Sequence, residues 1–330
     1  MKIYENLSDL GREKKGVRLA AGFFDGVHRG HQAIVRRVIQ KALIRGEKAW
    51  IMTFDIHPRK LLQPHAAPLL LTSTEHRIRL LESYGVQNCV LLPFTRAMAE
   101  LEPETFILRL VQAVRNLQGI VVGRNWTFGK NGAGRTDLLK KLGALHGFDV
   151  DIVRPARWRG GIISSTRIRR AVAGGRIAEA AAMLGRTFSV AGAVVSGRGI
   201  GRRLGIPTAN VALHNEVAPA NGVYAVRAAV DRKVYNGVAN IGIRPTFLRS
   251  SRLPHGKGAK RHKVLEAHLF DMPAGANILH RPIEVFFVRR LRAERRFPAR
   301  EALKRQIVRD IMMAKKIFSR SCFTNQRTHL

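Results

Sequence analysis

The sequence predicts an α/β domain built on a doubly wound parallel sheet, followed by an antiparallel β-barrel with a closing α-helix. Three observations predict it. Over the first 155 or so residues, short apolar strands alternate with amphipathic helices, the order that builds a parallel sheet with helices on both faces. After about residue 187 the segments become short, rich in β-branched residues and separated by Gly, Pro and Asn, which reads as an antiparallel barrel or sandwich. A chain of 330 residues is also long enough for two ordinary domains, each burying its own core.

Taken in order, VRLAA (17 to 21) is the first strand, and a helix is expected to begin near Gly30-His31 and run through QAIVRRVIQKALIRG. AWIMTF (49 to 54) completes a βαβ unit. STEHRIRLLESYG has a Ser/Thr start, an early Glu and a glycine stop, so it is a helix, and it leads into the strand QNCVLLPF. PETFILRLVQAVRNLQG and IVVG repeat that helix-to-strand step. GRTDLLKKLGALHG and FDVDIVRP repeat it again. The joint lies in residues 165 to 186, a helical stretch broken by Gly174-Gly175, which divides the chain into 1–186 and 187–330. Beyond it, TFSVAGAVVSG, TANVAL, GVYAVRAAV, KVYNGVANIG, KVLEAHLF and IEVFFV are six strands, and ALKRQIVRDIMMAKKIF is the last helix.

Composition narrows the class. The formal net charge is +35, yet residues 1–186 carry 31 Lys/Arg against 15 Asp/Glu and residues 187–330 carry 27 against 8. Charge spread over both halves suits anionic ligands or non-specific polyanion binding, and it predicts no specific nucleic-acid recognition. No apolar run approaches the length of a membrane span, so no membrane partner is expected. The N-terminus has charges where a signal peptide needs its apolar stretch, and Cys89 and Cys322 lack the spacing of a zinc site or a disulfide framework. These features predict a cytoplasmic location.

GFFDGVHRGH (22 to 31) carries the first chemistry. Glycines directly after a strand let backbone approach a phosphate, and the following helix offers unpaired N–H groups and the positive end of its dipole. His28 and His31 flank that anion site as donors or charge stabilisers. The same pair also reads as packing and capping groups, and with Asp25 as three metal ligands. The spacing is neither a G-x-G-x-x-G nor a P-loop. In SGRGIGRRLGIPTANVAL (196 to 213), Gly197, Gly201, Gly205 and Arg202 describe a loop able to wrap phosphates. Thr208 and Asn210 then point the same way on a strand. Two neutral oxygens there suit a hard cation such as Mg²⁺ held mainly by nucleotide phosphates, or are simply the polar face of a barrel strand.

H-x-G-H after a first strand resembles the signature of the HIGH nucleotidylyltransferase superfamily, and the longer GFFDGVHRGH resembles the adenylyltransferase module of bifunctional riboflavin kinase/FAD synthetase. TFDIHPRKLL (53 to 62), VVGRNWTFGKNGAG (121 to 134) and ISSTRIRRAVAGG (163 to 175) resemble further segments of that module, in the same order. PTAN, PANGVYAV, NGVANIGIRPTF, LEAHLFD and LRAERRF likewise resemble the kinase module in order. The resemblance implies that Gly22, Phe23, Asp25, Gly26, Gly30, Asn125, Ser165, Thr166 and Arg169 bind ATP for adenylyl transfer, with Asp25 shaping the loop and His28 and His31 acting on the phosphates. It implies that Gly197, Gly201, Arg202, Gly205, Thr208 and Asn210 bind ATP and Mg²⁺ for the kinase. Glu266 becomes its base, and Arg292 and Glu294 lie near the flavin. On its own Glu266 reads equally as an ion-pair partner. The implied ligands are riboflavin, FMN, ATP and FAD; the rival readings are a nucleotidylyltransferase of another substrate with an unrelated barrel, and a basic nucleic-acid-binding protein.

Three departures from the family pattern stand out. Trp126 replaces a Phe or Tyr, the loop 248–264 is longer and more basic, and Leu279-His280-Arg281 stands where the family has L-Y-G, so the turn there is expected to differ.

Overall fold

A computed structural model describes residues 1–197, 201, 205–244, 262–273 and 276–320. Among these, residues 1–70 with 74–165 form one compact unit, and 71–73 with 166–320 form a second.

The first unit is a six-stranded sheet of β1 (Lys2–Tyr4), β2 (Val17–Ala21), β3 (Lys48–Phe54), β4 (Asn88–Leu92), β5 (Leu117–Gly123) and β6 (Asp149–Val153), in the order β1-β4-β3-β2-β5-β6. Every pairing is parallel. The five expected strands are present; β1 is additional, a three-residue edge strand too short to show a periodicity. Strand β2 lies at the centre and is buried along its whole length. Its side chains alternate between two cores, Leu19 and Ala21 joining Trp50, Ile107 and Leu110 on one face, Ala20 joining Val35, Val38 and Ile51 on the other. The helices that cover the sheet include α1 (Arg29–Arg45), α3 (Thr74–Ser83), α5 (Pro103–Ala113) and α6 (Thr136–His146), with short helices α2 (Pro58–Leu62) and α4 (Arg96–Ala99) between them.

Arg18 is fully buried in β2. Its guanidinium donates to Glu47 at 2.6 and 3.1 Å and to Asp149. Burial pulls its pKa down, but those two carboxylates outweigh burial and hold it above the ordinary value. A Cβ at Gly119, on the neighbouring strand, would collide with both the guanidinium and Asp149. Glycine there makes room for the ion pair.

The small hairpin of β7 (Arg157–Trp158) and β8 (Gly161–Ile162) precedes α7 (Ser165–Ala173) and α8 (Ile177–Leu184). The expected break falls between these two helices, where Gly175 takes the left-handed φ of 73°.

In the second unit β9 (Ser189–Val195), β10 (Ala209–Leu213), β11 (Gly222–Val230), β12 (Lys233–Arg244), β13 (His262–Leu269) and β14 (Pro282–Arg292) close into a barrel in the order β10-β13-β12-β11-β14-β9. Closure removes exposed strand edges. Val211, Leu265 and Ile241 stand opposite one another across three strands and are buried in the barrel interior. The C-terminal helix Arg300–Arg320 lies on the outside, where Ala314 and Phe318 pack with Ala225, Val238 and Phe270.

A turn falls at Leu279–His280. His280, at φ 62°, takes the left-handed conformation, and Arg281 does not, so no glycine is required at 281. The Arg281 carbonyl accepts from the Val194 amide at 3.0 Å. Most of the basic loop 248–264 lies outside the described residues.

Candidate functional site

In an open parallel sheet, ligands bind beyond the carboxyl ends of strands where the order reverses. Here that point lies between β2 and β5, since β3 and β4 continue to one side of β2 while β5 and β6 continue to the other. GFFDGVHRGH leaves β2 there, and GRNWTFG leaves β5 beside it.

The first loop turns sharply through Phe24, Gly26 and Val27, with φ of 57°, 76° and 38°. Two of these are not glycines, so neighbouring contacts must hold the strain. The Phe23 carbonyl accepts from Thr53 Oγ1 at 3.2 Å, the Asp25 carbonyl from Ser165 Oγ at 3.0 Å, and the Val27 carbonyl from Gln32 Nε2 at 2.8 Å. Phe24 and Val27 are buried in the core beneath.

His28 ends the loop and caps the helix. It stands just ahead of α1, which begins at Arg29, slightly before the expected start. Its Nδ1 accepts from the His31 amide at 3.3 Å, and its ring stacks on that of His31 with centroids 3.6 Å apart. Phe24 meets His31 edge-on at 5.4 Å. Gly30 allows this, because a Cβ at that position would lie 3.1 Å from the His28 ring. The capping and the phosphate-facing readings of this pair are therefore compatible: one imidazole organises the helix terminus at which the other sits. Among the described residues no group of three or more His, Cys, Asp or Glu is arranged to hold a metal, so the Asp25-His28-His31 triad is not formed.

Beneath the loop lies a residue that the motifs do not contain. Arg77 of α3 is fully buried, donates to the Phe54 carbonyl at 2.6 Å, and places its guanidinium carbon 4.2 Å from the Phe23 ring centroid. Burial lowers its pKa to about 10, opposed by the nearby charges of Asp25, Cys89 and Asp55. Asp25 itself is 3% exposed. His57 closes the other edge of Phe23, with centroids 4.7 Å apart. The sequence held one sign of Arg77: it stands four residues before the buried Leu81, in phase with the apolar face of its helix.

Asn125 follows β5 and is exposed, and Trp126 beside it stacks on Phe128 with centroids 4.8 Å apart. The larger ring is accommodated against the core by that stack. Ser165 opens α7 and acts on the loop through Asp25. Thr166 and Arg169 belong to the second unit, where Arg169 Nη1 donates to Thr166 Oγ1 at 3.3 Å.

In the second unit a cavity of about 270 Å³ opens between the outer face of the barrel and the C-terminal helix. Asn210, Glu266 and Asn240 stand directly opposite one another on β10, β13 and β12, on the face turned away from the barrel interior. Glu266, Asn240, Thr208 and His268 line one wall, and Val223, Val238, Phe297, Leu303 and Ile307 supply apolar surface. Arg292 and Glu294 line it as well. The Arg292 guanidinium donates to both Asp310 carboxylate oxygens, at 2.8 to 3.1 Å, and to the Ala293 carbonyl at 3.0 Å. Asp310 is 2% exposed and also accepts from Gln306 at 3.0 Å. Glu294 accepts from Asn221 Nδ2 at 3.1 Å.

Two described glycines of the 196–205 segment, Gly197 and Gly201, serve close packing. A Cβ at Gly197 would collide with the Asn210 amide, and one at Gly201 would lie 2.9 Å from Thr208 Oγ1. Gly205 supplies a left-handed φ of 75°. Arg202 lies outside the described residues. Asp310 lies outside the motif segments, and His268 and Asn240 lie inside LEAHLFD and NGVANIGIRPTF with no role implied there, because each gains its meaning only from strand register or from the helix packed on the barrel.

A family model of FAD synthetase matches residues 11–167, and one of riboflavin kinase matches residues 184–318. The chain is 35% identical over 320 residues to the bifunctional riboflavin kinase/FMN adenylyltransferase of Escherichia coli strain K12, covering 96% of this chain and 98% of that one. It is 32% identical over 321 residues to the protein of the same description from Buchnera aphidicola subsp. Schizaphis graminum, covering 97% and 99%. A solved structure described as a macrolide-efflux protein from Streptococcus pneumoniae is similar over 95% of this chain and 98% of that one, with a TM-score of 0.82 and 30% identity. With full-length likeness to such relatives, and both models matched in the order of its two halves, the chain belongs to the bifunctional riboflavin kinase/FMN adenylyltransferase family.

Proposed function

We propose that the two activities of the family are divided at the joint, with FMN adenylyl transfer in residues 1–186 and riboflavin phosphorylation in 187–330. The chain phosphorylates riboflavin with ATP to give FMN, and adenylylates FMN with a second ATP to give FAD and pyrophosphate.

For the kinase, the observation that supports the assignment is the row Asn210-Glu266-Asn240, of which Glu266 and Asn240 line the cavity beside Thr208. Glu266 accepts the proton of the riboflavin 5′-hydroxyl as its oxygen attacks the γ-phosphorus of ATP. Thr208 and Asn210 offer the neutral oxygens that a hard divalent cation takes when phosphates supply most of its shell, and the glycines packed on both residues leave phosphates room to approach. Mg²⁺ is the cation we assign there; when bound it would neutralise charge on the transferring phosphoryl group. The apolar wall with Arg292 and Glu294 receives the flavin.

For adenylyl transfer, the attacking FMN phosphate is already ionised near neutral pH, so the step needs charge stabilisation more than a base. His31 and the N-terminus of α1 supply it, with His28 holding both in place. Gly22, Phe23, Asp25, Gly26, Gly30, Asn125 and Ser165 shape the ATP site, and the resemblance adds Thr166 and Arg169 on the helix that Ser165 begins. Among the described residues no helix is long and apolar enough to cross a membrane, and we assign the enzyme to the cytoplasm.

The test is to incubate the protein with riboflavin, Mg²⁺ and ATP and separate the flavins. FMN and FAD are both expected. Absence of both would sink the reading, and Glu266→Ala should abolish FMN formation while FAD still forms from supplied FMN.

A further inference from the structure

We propose that His268 is a positioning residue of the kinase site, holding the Pro207–Thr208 peptide and so aiming the Thr208 hydroxyl at its ligand. His268 lies two residues beyond Glu266 on β13, lines the same cavity, and has its Nδ1 2.8 Å from the Pro207 carbonyl oxygen. A carbonyl oxygen only accepts, so Nδ1 carries the proton. That carbonyl belongs to the peptide plane whose nitrogen is Thr208's own, so fixing it fixes how the Thr208 side chain leaves the chain.

The strand register explains why a side chain is needed there. Ala209 pairs with Ala267 and Asn210 with Glu266, but β10 begins at Ala209. Pro207 and Thr208 lie just before the ladder starts, and Pro207 has no N–H to offer. The imidazole N–H supplies the Pro207 carbonyl with the donor that a ladder partner would have given it. Gly201 also lies close to Thr208, and its own carbonyl accepts from the Ile206 amide at 2.8 Å. Thr208 thus stands between a close contact to Gly201 and a peptide held by His268. Phe270 meets the imidazole edge-on at 5.7 Å and limits its rotation.

The inference rests on Thr208 acting on the nucleotide and its cation. The test compares His268→Ala, His268→Asn and Thr208→Ala in the full chain, using riboflavin, ATP and Mg²⁺ for the kinase and supplied FMN for adenylyl transfer. Asn is chosen because its Nδ2 is attached to Cγ, as the imidazole Nδ1 is, and carries the same N–H. His268→Ala should raise the KM for Mg·ATP about tenfold, as loss of an outer partner of a metal or phosphate ligand does, leaving the riboflavin KM and FAD formation from FMN unchanged. His268→Asn should recover most of that loss. A purely structural imidazole would predict both KM values and the melting temperature moving together, with no recovery in the Asn variant, and that result would overturn the proposal. If Thr208→Ala raises the Mg·ATP KM while His268→Ala does not, the positioning role fails and the site reading stands. If Thr208→Ala leaves that KM unchanged, the site reading itself fails.

Discussion

At the start of α1 a single imidazole does what two residues usually share. His28 accepts the His31 amide as a helix cap and offers its ring as a stacking surface for His31, so its removal should act on both stability and chemistry. His28→Ala is expected to cost about 1 kcal/mol, the usual cost of a lost cap, readable by urea unfolding. His31→Ala should leave that stability nearly intact and slow FAD formation from FMN by about two orders of magnitude, with FMN formation unaffected. Continued FAD synthesis at the original rate would refute its role. A second residue-scale effect concerns Cys89, which is fully buried and whose thiol is pushed up to about 12 by burial, with Arg77 opposing. The unfolded chain loses this proton near the ordinary 9.0, the folded chain only near 12, so the contribution of Cys89 to stability is complete below pH 9 and is lost as pH rises toward 12. Between pH 8.5 and pH 10 the wild type should lose about 1 kcal/mol more than Cys89→Ala, measured as the difference in slope of unfolding free energy against pH. Equal slopes would show that the thiol does not titrate this way.

At the scale of elements, the Arg292–Asp310 pair joins the last barrel strand to the C-terminal helix at the wall of the barrel cavity. Every Arg292 nitrogen is engaged, so the guanidinium acts as a fixed wall and not as a mobile anion clamp. Removing one partner leaves a buried charge behind. Asp310→Ala should therefore destabilise the second unit by about 3 kcal/mol and raise the riboflavin KM, checked by urea unfolding and by kinase kinetics. Gly197 meets the opposite requirement, that of minimal bulk. Gly197→Ala forces a Cβ into the Asn210 amide and should impair phosphorylation while adenylyl transfer from supplied FMN proceeds, because the collision is confined to the barrel. The helices and strands themselves were largely legible: five of the six parallel strands and all six barrel strands follow from alternation and turn residues. Arg18 and Arg77 were not legible in the same way. Each is a charged residue inside an apolar element, and each is explained only by partners distant in sequence, Glu47 and Asp149 for one, Phe54 and Phe23 for the other.

For the whole molecule, a net charge of +35 spread over both halves makes a long-range field that favours anionic ATP and FMN at either site. The apparent KM for ATP should therefore rise with added salt in both reactions, most steeply up to about 0.1 M, where the screening length has fallen to about 10 Å. A KM indifferent to salt in both reactions would leave the charge without a part in substrate capture. Local order in the chain determined the two folds, the joint between them and the motifs that name the chemistry, because periodicity, turn residues and motif spacing are properties of neighbours along the chain. Tertiary structure alone decided that β2 and β5 are neighbours at the reversal of strand order, so that the loops after them start side by side. It also decided that Asn210, Glu266 and Asn240 form one row, that His268 and Asp310 line the same cavity, and that Arg77 packs on Phe23. The physical reason is that strand register and helix packing bring together side chains tens of residues apart, and no local pattern encodes which of them will meet.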